Sequence, residues 1–295
     1  MDIKQIHKEL KIIDNKLADE DISIAARPIH AIMAFGTKFK ISLPIVVSNH
    51  ASSNTEYPKQ NEYITNAIHE WYKNRYSELL KTDPSIGKTI VIIKGNPMLI
   101  KIPLIYGRAI IIWDINKSGI TGSNKFNNKP SILNVIDIID GLTDALASEV
   151  SKNESKHIIE WFRSSHQIYG FLKLKGNDEL IAHAMTDLSD SVNHIVTHQP
   201  NYNQSRWSSL QACEKIIKAY SKSKGFNFKR VHNLKELAQG AGIKNSFTLK
   251  LLEDIQCAAG IRYGEVKTSK DEAVKAHQSM MIFTAMLIET WDNEV

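Results

Sequence analysis

The sequence predicts an α+β protein in two parts: a mixed α/β domain with an antiparallel sheet over residues 1–175, then an all-α helical bundle over residues 176–295. Three observations predict it. A chain of 295 residues is too long for one ordinary core. The runs KTIVIIK (Lys88–Lys94) and MLIKIPLIYGRAIIIWDI (Met98–Ile115) flank a Gly95–Asn96–Pro97 turn, the mark of adjacent antiparallel strands. From Ser131 onward the apolar pattern turns helical and stays so to the end.

The elements follow in order. Ile6, Leu10, Ile13 and Leu17 form one apolar stripe, so Ile3–Leu17 reads as an amphipathic helix. The segment Ile29–Val47 is rich in β-branched and aromatic residues and contains Gly36, which predicts two strands or one bent strand. Pro58 suits the first turn of a helix running to Lys81, with Ile64, Ile68, Trp71, Tyr72, Leu79 and Leu80 as its stripe. The second strand of the sheet should break near Pro103 or Gly107. IVII and AIII lack alternation, so the sheet should be covered on both faces. Ser118–Ser131 reads as a long loop ending at a helix N-cap. The LKLKGND stretch near 172–177 marks the domain boundary. Beyond it come helices at Glu179–Thr197, at Gln204–Ser221, after His232, through Leu251–Ala259, and from Ser269, whose Glu272 completes a capping box.

Composition narrows the function. Hydrophobic residues are 42% and charged residues 23%, which excludes a disordered or fibrous chain. There is no apolar run of about 20 residues, and the N-terminus is too charged for a signal peptide, so a cytoplasmic protein without membrane contact is expected. Two cysteines, Cys213 and Cys257, are too few for a disulfide scaffold or a four-cysteine zinc site. Both fit helical patterns as small buried hydrophobes, and His277 fits as a packed or interface histidine.

The C-terminal residues are more specific. RWSSLQACEKIIKAYSKSKGFNFKRVHNLKELAQ is followed by AAGIRYGEVKTSKDEAVKAHQSMMIFTAMLIE, and the ordered set resembles the HEPN domain family. The matching positions are Gln211, Ala212, Glu214, Lys215, Lys218, Ala219, His232, Leu234, Leu237, Arg262, Tyr263 and Ala273, within about 178–289. The resemblance implies an antiparallel bundle that pairs with itself, hence a homodimer, in bacterial stress, toxin–antitoxin, immunity or phage-defence biology. It implies a cognate toxin or other protein, RNA or a nucleotide as partner, and no cofactor.

Many members are metal-independent ribonucleases, with an arginine followed, after four to six intervening residues, by a histidine. None of the seven arginines here is so followed; Arg163–His166 and Arg230–His232 are too close. That favours a non-catalytic binding or regulatory protein. The alternative is a divergent ribonuclease whose His232 and Arg262 meet across a dimer, with Glu214 as a third candidate. Electrostatically, Glu214 suits a helix ion pair with Lys218 and is a carboxylate that Arg262 can pin.

Other constellations are simpler. Asp190, His194 and His198 fall at i, i+4 and i+8, a line that can ligate zinc or be the polar face of a helix. Asp137, Asp140 and Asp144 share a face if that segment is helical. Gly87–Lys88–Thr89 imitates the end of a phosphate loop, but Thr82 stands where a glycine is required and the segment enters a strand. The net charge of +5 is uneven. Between Lys215 and Lys250 nine basic residues face only Glu236, a local +8 that leaves −3 elsewhere. Lys218, Lys222, Lys224, Lys229 and Arg230 interleave with Phe226 and Phe228, a mix suited to phosphate contact and base stacking.

Overall fold

The computed structural model describes residues 2–45, 58–80, 83, 85–105, 107–117, 130–227 and 231–292. By contacts the chain divides into two compact units, Met1–Asp83 and Pro84–Val295. It is a mostly helical α+β protein.

The first unit is three helices: α1 (Ile3–Asp19), α2 (Arg27–Phe39) and α3 (Lys59–Tyr76), the last followed by a 3-10 turn. Asp2 caps α1 in a box with Gln5. Among the described residues of Ile29–Val47 the expected strands are not there; α2 occupies the segment as far as Phe39, and 46–47 lie outside the described residues. Its β-branched content misleads, because Ala31, Ile32 and Phe35 recur at helical spacing and bury against Ile6, Leu10, Ile64 and Ile68. Pro28 sits in the first turn and Lys40, at φ 53°, ends the helix. Gly36 is needed here: a Cβ would lie 2.8 Å from the Ile41 carbonyl oxygen, whose residue folds back to bond Gly36.

The second unit opens with β1 (Ser85–Ile93) and β2 (Asn96–Pro103), paired antiparallel as expected. Their connection is Lys94–Gly95, with φ 50° and 77°, a type I′ turn; Asn96 and Pro97 already belong to β2. The break after Pro103 separates β3 (Ala109–Ile112), which leaves this sheet and pairs parallel with β4 (Ser131–Asn134). Helix therefore does not begin at Ser131. The expected loop before it falls on 118–129, outside the described residues.

A short 3-10 turn (Val135–Ile138) and α4 (Asp144–Ser148) lead to α5 (Lys152–Leu174), α6 (Glu179–Val196), α7 (Tyr202–Ser223), α8 (Leu234–Gly240), α9 (Ser246–Ile255) and α10 (Lys270–Asp292). The long α6, α7 and α10 pack on one another, with α9 against α10. One hydrophobic cluster runs from Ile86 in β1 to Trp291 in α10. The boundary expected near 175 falls inside this cluster, at the turn between α5 and α6. The reason is that α5 gives its apolar face both to β1 and to α10, with Phe171 against Trp291 at 5.4 Å.

Gly87 has a packing role. A Cβ there would lie 2.1 Å from the Tyr169 ring, whose hydroxyl donates to the Lys88 carbonyl at 2.5 Å. Gly87, Lys88 and Thr89 lie inside strand β1, not in a loop that enters a helix as a phosphate loop would. Gly87→Ala is expected to lower stability by about 1–3 kcal/mol through overpacking, read as a lowered urea midpoint. An unchanged midpoint would mean the Tyr169 ring moves at no cost.

Candidate functional site

Two of the positions singled out in the sequence, Glu214 and His232, meet beside α7. Glu214, nearly buried in its wall, accepts from Lys218 Nζ one turn later at 2.5 Å. Its other oxygen lies 3.0 Å from His232 Nδ1. His232 precedes α8 and is held there by local bonding. Gln256 Nε2 donates to the His232 carbonyl at 3.4 Å, while its Oε1 accepts from the Leu234 amide at 2.9 Å. The imidazole itself is 79% exposed. The geometry is thus a buried carboxylate orienting an open imidazole through one nitrogen, which leaves Nε2 for another group.

Arg262 does not reach Glu214. Its guanidinium lies 5.9 Å from the Trp207 ring and 6.0 Å from the Tyr263 ring. Trp207 and Glu214 are seven residues apart, so Arg262 is stationed two turns, or about 10 Å, down the same helix. Gln204 Nε2 donates to the Arg262 carbonyl at 3.2 Å and Asn203 Nδ2 to that of Val266 at 2.9 Å, which tie this connection to α7. Tyr263, 73% exposed, and Val266 point an apolar surface outward beside the arginine.

Several lysines of the basic tract are paired. Lys215 meets Asp187, Lys222 meets Asp178 at 2.8 Å, and Lys235 meets Glu253. The Lys222 ammonium holds the Asp178 carboxyl below its usual range; burial pushes Asp187 up despite Lys215. Asp178 caps α6, Asp187 lies within it and Glu253 lies in α9, all outside Lys215–Lys250. Lys224 Nζ lies 5.6 Å over the Tyr220 ring and Phe226 is half-exposed. Phe228, Lys229 and Arg230 lie outside the described residues.

The expected metal line fails geometrically. Helix α6 ends at Val196 with Thr197 extended, so His198 leaves the face that carries Asp190 and His194. Among the described residues no group of three or more His, Cys, Asp or Glu can hold a metal ion. Asp137, Asp140 and Asp144 do not share a helix either; a 3-10 turn, the Gly141 turn and α4 separate them, and Asp140 pairs with Lys101 at 3.0 Å. Burial pushes the Cys213 thiol up beyond the range of a nucleophile, and that of Cys257 to about 11.

Two groupings escaped the sequence reading. In the first unit, buried Asp14 lies between Arg27 Nη1 and Arg75 Nε, each at 3.5 Å, and accepts from the Tyr76 hydroxyl. Its signal was an acid inside the apolar stripe of α1, next to Ile13. In the second, His277 is wholly buried between Thr89 Oγ1 (3.1 Å) and Ser191 Oγ (2.9 Å). Ser191 donates to the Leu188 carbonyl at 2.8 Å, so Nδ1 donates to Ser191 and Nε2 accepts from Thr89. That assigns a neutral ring with one tautomer, a packed histidine and not a base.

Comparison with family models, curated proteins and solved structures finds no match for this chain. Among the described residues no helix is long and apolar enough to cross a membrane.

Proposed function

We propose that the chain is a non-catalytic binding or regulatory protein. Its helices from α6 to α10 act as a HEPN-like bundle that pairs with a second copy and engages a protein partner, RNA or a nucleotide, in bacterial stress, toxin–antitoxin or phage-defence biology. The observation that carries the reading is the surface cluster of half-buried Trp207 with exposed Arg262, Tyr263 and Val266. Tryptophan, tyrosine and arginine are the side chains that dominate binding surfaces, and here the arginine is spent on aromatic stacking, away from His232. The Glu214–His232 contact adds support to the resemblance, since it joins two pieces of its pattern that lie 18 residues apart.

The same contact favours one second reading, a divergent ribonuclease. A carboxylate-oriented imidazole is the arrangement a general base needs for the ribose 2′-hydroxyl, and Arg262 of a second copy would supply the phosphate contact. Incubation of the purified protein with total RNA, with and without EDTA and beside His232→Ala, separates them. No cleavage under any condition is the expected result; EDTA-resistant cleavage lost in His232→Ala would replace the binding reading with the enzyme.

A further inference from the structure

A groove of about 300 Å³ lies along β1, walled by Glu154, His157, Ile158 and Trp161 of α5 and by Gln278 of α10. Its floor is three consecutive strand residues, Ile90, Val91 and Ile92. A floor of consecutive residues means the groove follows the strand's edge, because side chains of one face would alternate.

Among the described residues that edge has no strand partner: the sheet there consists of β1 and β2, so β1 is bonded on one side. In a two-residue hairpin the flanking pair, Ile93 and Asn96, exchanges hydrogen bonds, and the next pair, Ile92 and Pro97, does not. Pro97, which has no N–H, fits that place. Continuing the alternation, Lys88, Ile90 and Ile92 turn their N–H and C=O groups away from β2. The contacts on both edges agree: Tyr169 bonds the outward Lys88 carbonyl, and the Asp140 amide bonds the outward Leu99 carbonyl on the far side of β2. Tyr169 thus closes one end of the edge as an added strand would. Lys270, bonding the Gly95 carbonyl at 2.9 Å, fastens the hairpin tip beyond the other end. Between them Ile90 and Ile92 have no backbone partner among the described residues. The indole N–H of Trp161, in the groove wall, is also buried without one.

We infer that this groove binds an extended peptide segment of another protein, added as a third strand beside β1, with an apolar side chain seated against Ile158 and Trp161. An edge of outward amides asks for an extended backbone, and an unpartnered indole N–H asks for a carbonyl. The edge is also recessed. Ile90 is fully buried and Ile92 39% exposed, with a helix on either side, so it is the Ile92 amide that a slim strand reaches, where the edge of a second folded copy would meet α5 and α10 first. This site is separate from the α7 face and stands whether or not the HEPN-like reading does.

The test is a displayed library of random heptapeptides selected on the full chain, with the enriched peptide resynthesised and titrated by calorimetry. Methylating alternate backbone nitrogens in one parity is expected to weaken binding at least about tenfold, the worth of one hydrogen bond, and methylating the other parity to change it little. This uses the unaltered protein and so does not depend on any variant folding. Ile92→Pro, which deletes an N–H that β2 does not use, should cause a similar loss, and bound peptide should slow amide exchange at Ile90 and Ile92. Equal effects of both parities, full affinity in a folded Ile92→Pro protein, or no enriched peptide would overturn the inference. A dimer dissociated by Ile92→Pro would do so too, assigning the edge to a second copy.

Discussion

Asp14→Ala is expected to destabilise the Met1–Asp83 unit by about 3–5 kcal/mol, which for three helices means loss of the folded unit. Asp14 is 2% exposed and lies between the guanidinium groups of Arg27 and Arg75. Removing it leaves Arg27, only 14% exposed, as an uncompensated charge close to the core of Tyr72, Ile68 and Phe35. The Tyr72 phenol, pushed far above its ordinary range by burial and then by the Asp14 charge, cannot replace the carboxylate. Arg75→Ala should cost only about 1 kcal/mol, since Arg75 is 44% exposed and its stacking on Trp71 is a surface contact. Hydrogen exchange of peptides from α1 to α3, in the full chain, reads both effects. Native protection in Asp14→Ala would show that this carboxylate does not hold the three helices together.

Acid should weaken the second unit through His277. Burial drives this imidazole from its ordinary 6.5 to about 3, with no charged neighbour contributing. The sign follows from which state binds the proton. Below pH 6.5 the unfolded chain takes up a proton that the folded chain refuses, so stability is full above 6.5 and is lost as pH falls toward 3. The slope reaches at most about 1.4 kcal/mol per pH unit for one histidine. His166, depressed by burial as well, adds a smaller slope of the same sign. Urea midpoints measured from pH 7.5 to 4 should hold to about pH 6.5 and then decline, and His277→Gln, with no proton to gain, should flatten the decline. An equal decline in both proteins would place the acid sensitivity elsewhere.

Legibility differed between kinds of interaction. The β1–β2 hairpin and the helices from Glu179 onward could be read, because local pattern and turn chemistry decide them. The Ile29–Val47 segment could not. Its composition favours strand, yet the partners that bury Ala31, Ile32 and Phe35 come from α1 and α3. The Glu214–Lys218 pair was visible at i, i+4; the Glu214–His232 contact, between residues 18 apart in the chain, was not. The Arg262–Glu214 pairing was a reasonable expectation that the two-turn offset along α7 prevents. The zinc line assumed a helix through His198, and the helix stops two residues short of it.

By itself the sequence determined that this is an α+β protein with an antiparallel pair at β1 and β2 and helices from Glu179 onward, that no arginine is followed by a histidine at the ribonuclease spacing, and that excess positive charge is concentrated between Lys215 and Lys250. Those are properties of composition and near neighbours, which the chain carries before it folds. Only the tertiary structure decided that several of those lysines are answered by Asp178, Asp187 and Glu253, that His277 sits neutral between Thr89 and Ser191, and that β1 keeps an open edge beside Trp161. Charge pairing, desolvation and strand-edge exposure depend on which distant segments meet. Residues 188 apart, as Thr89 and His277 are, leave no local trace of one another.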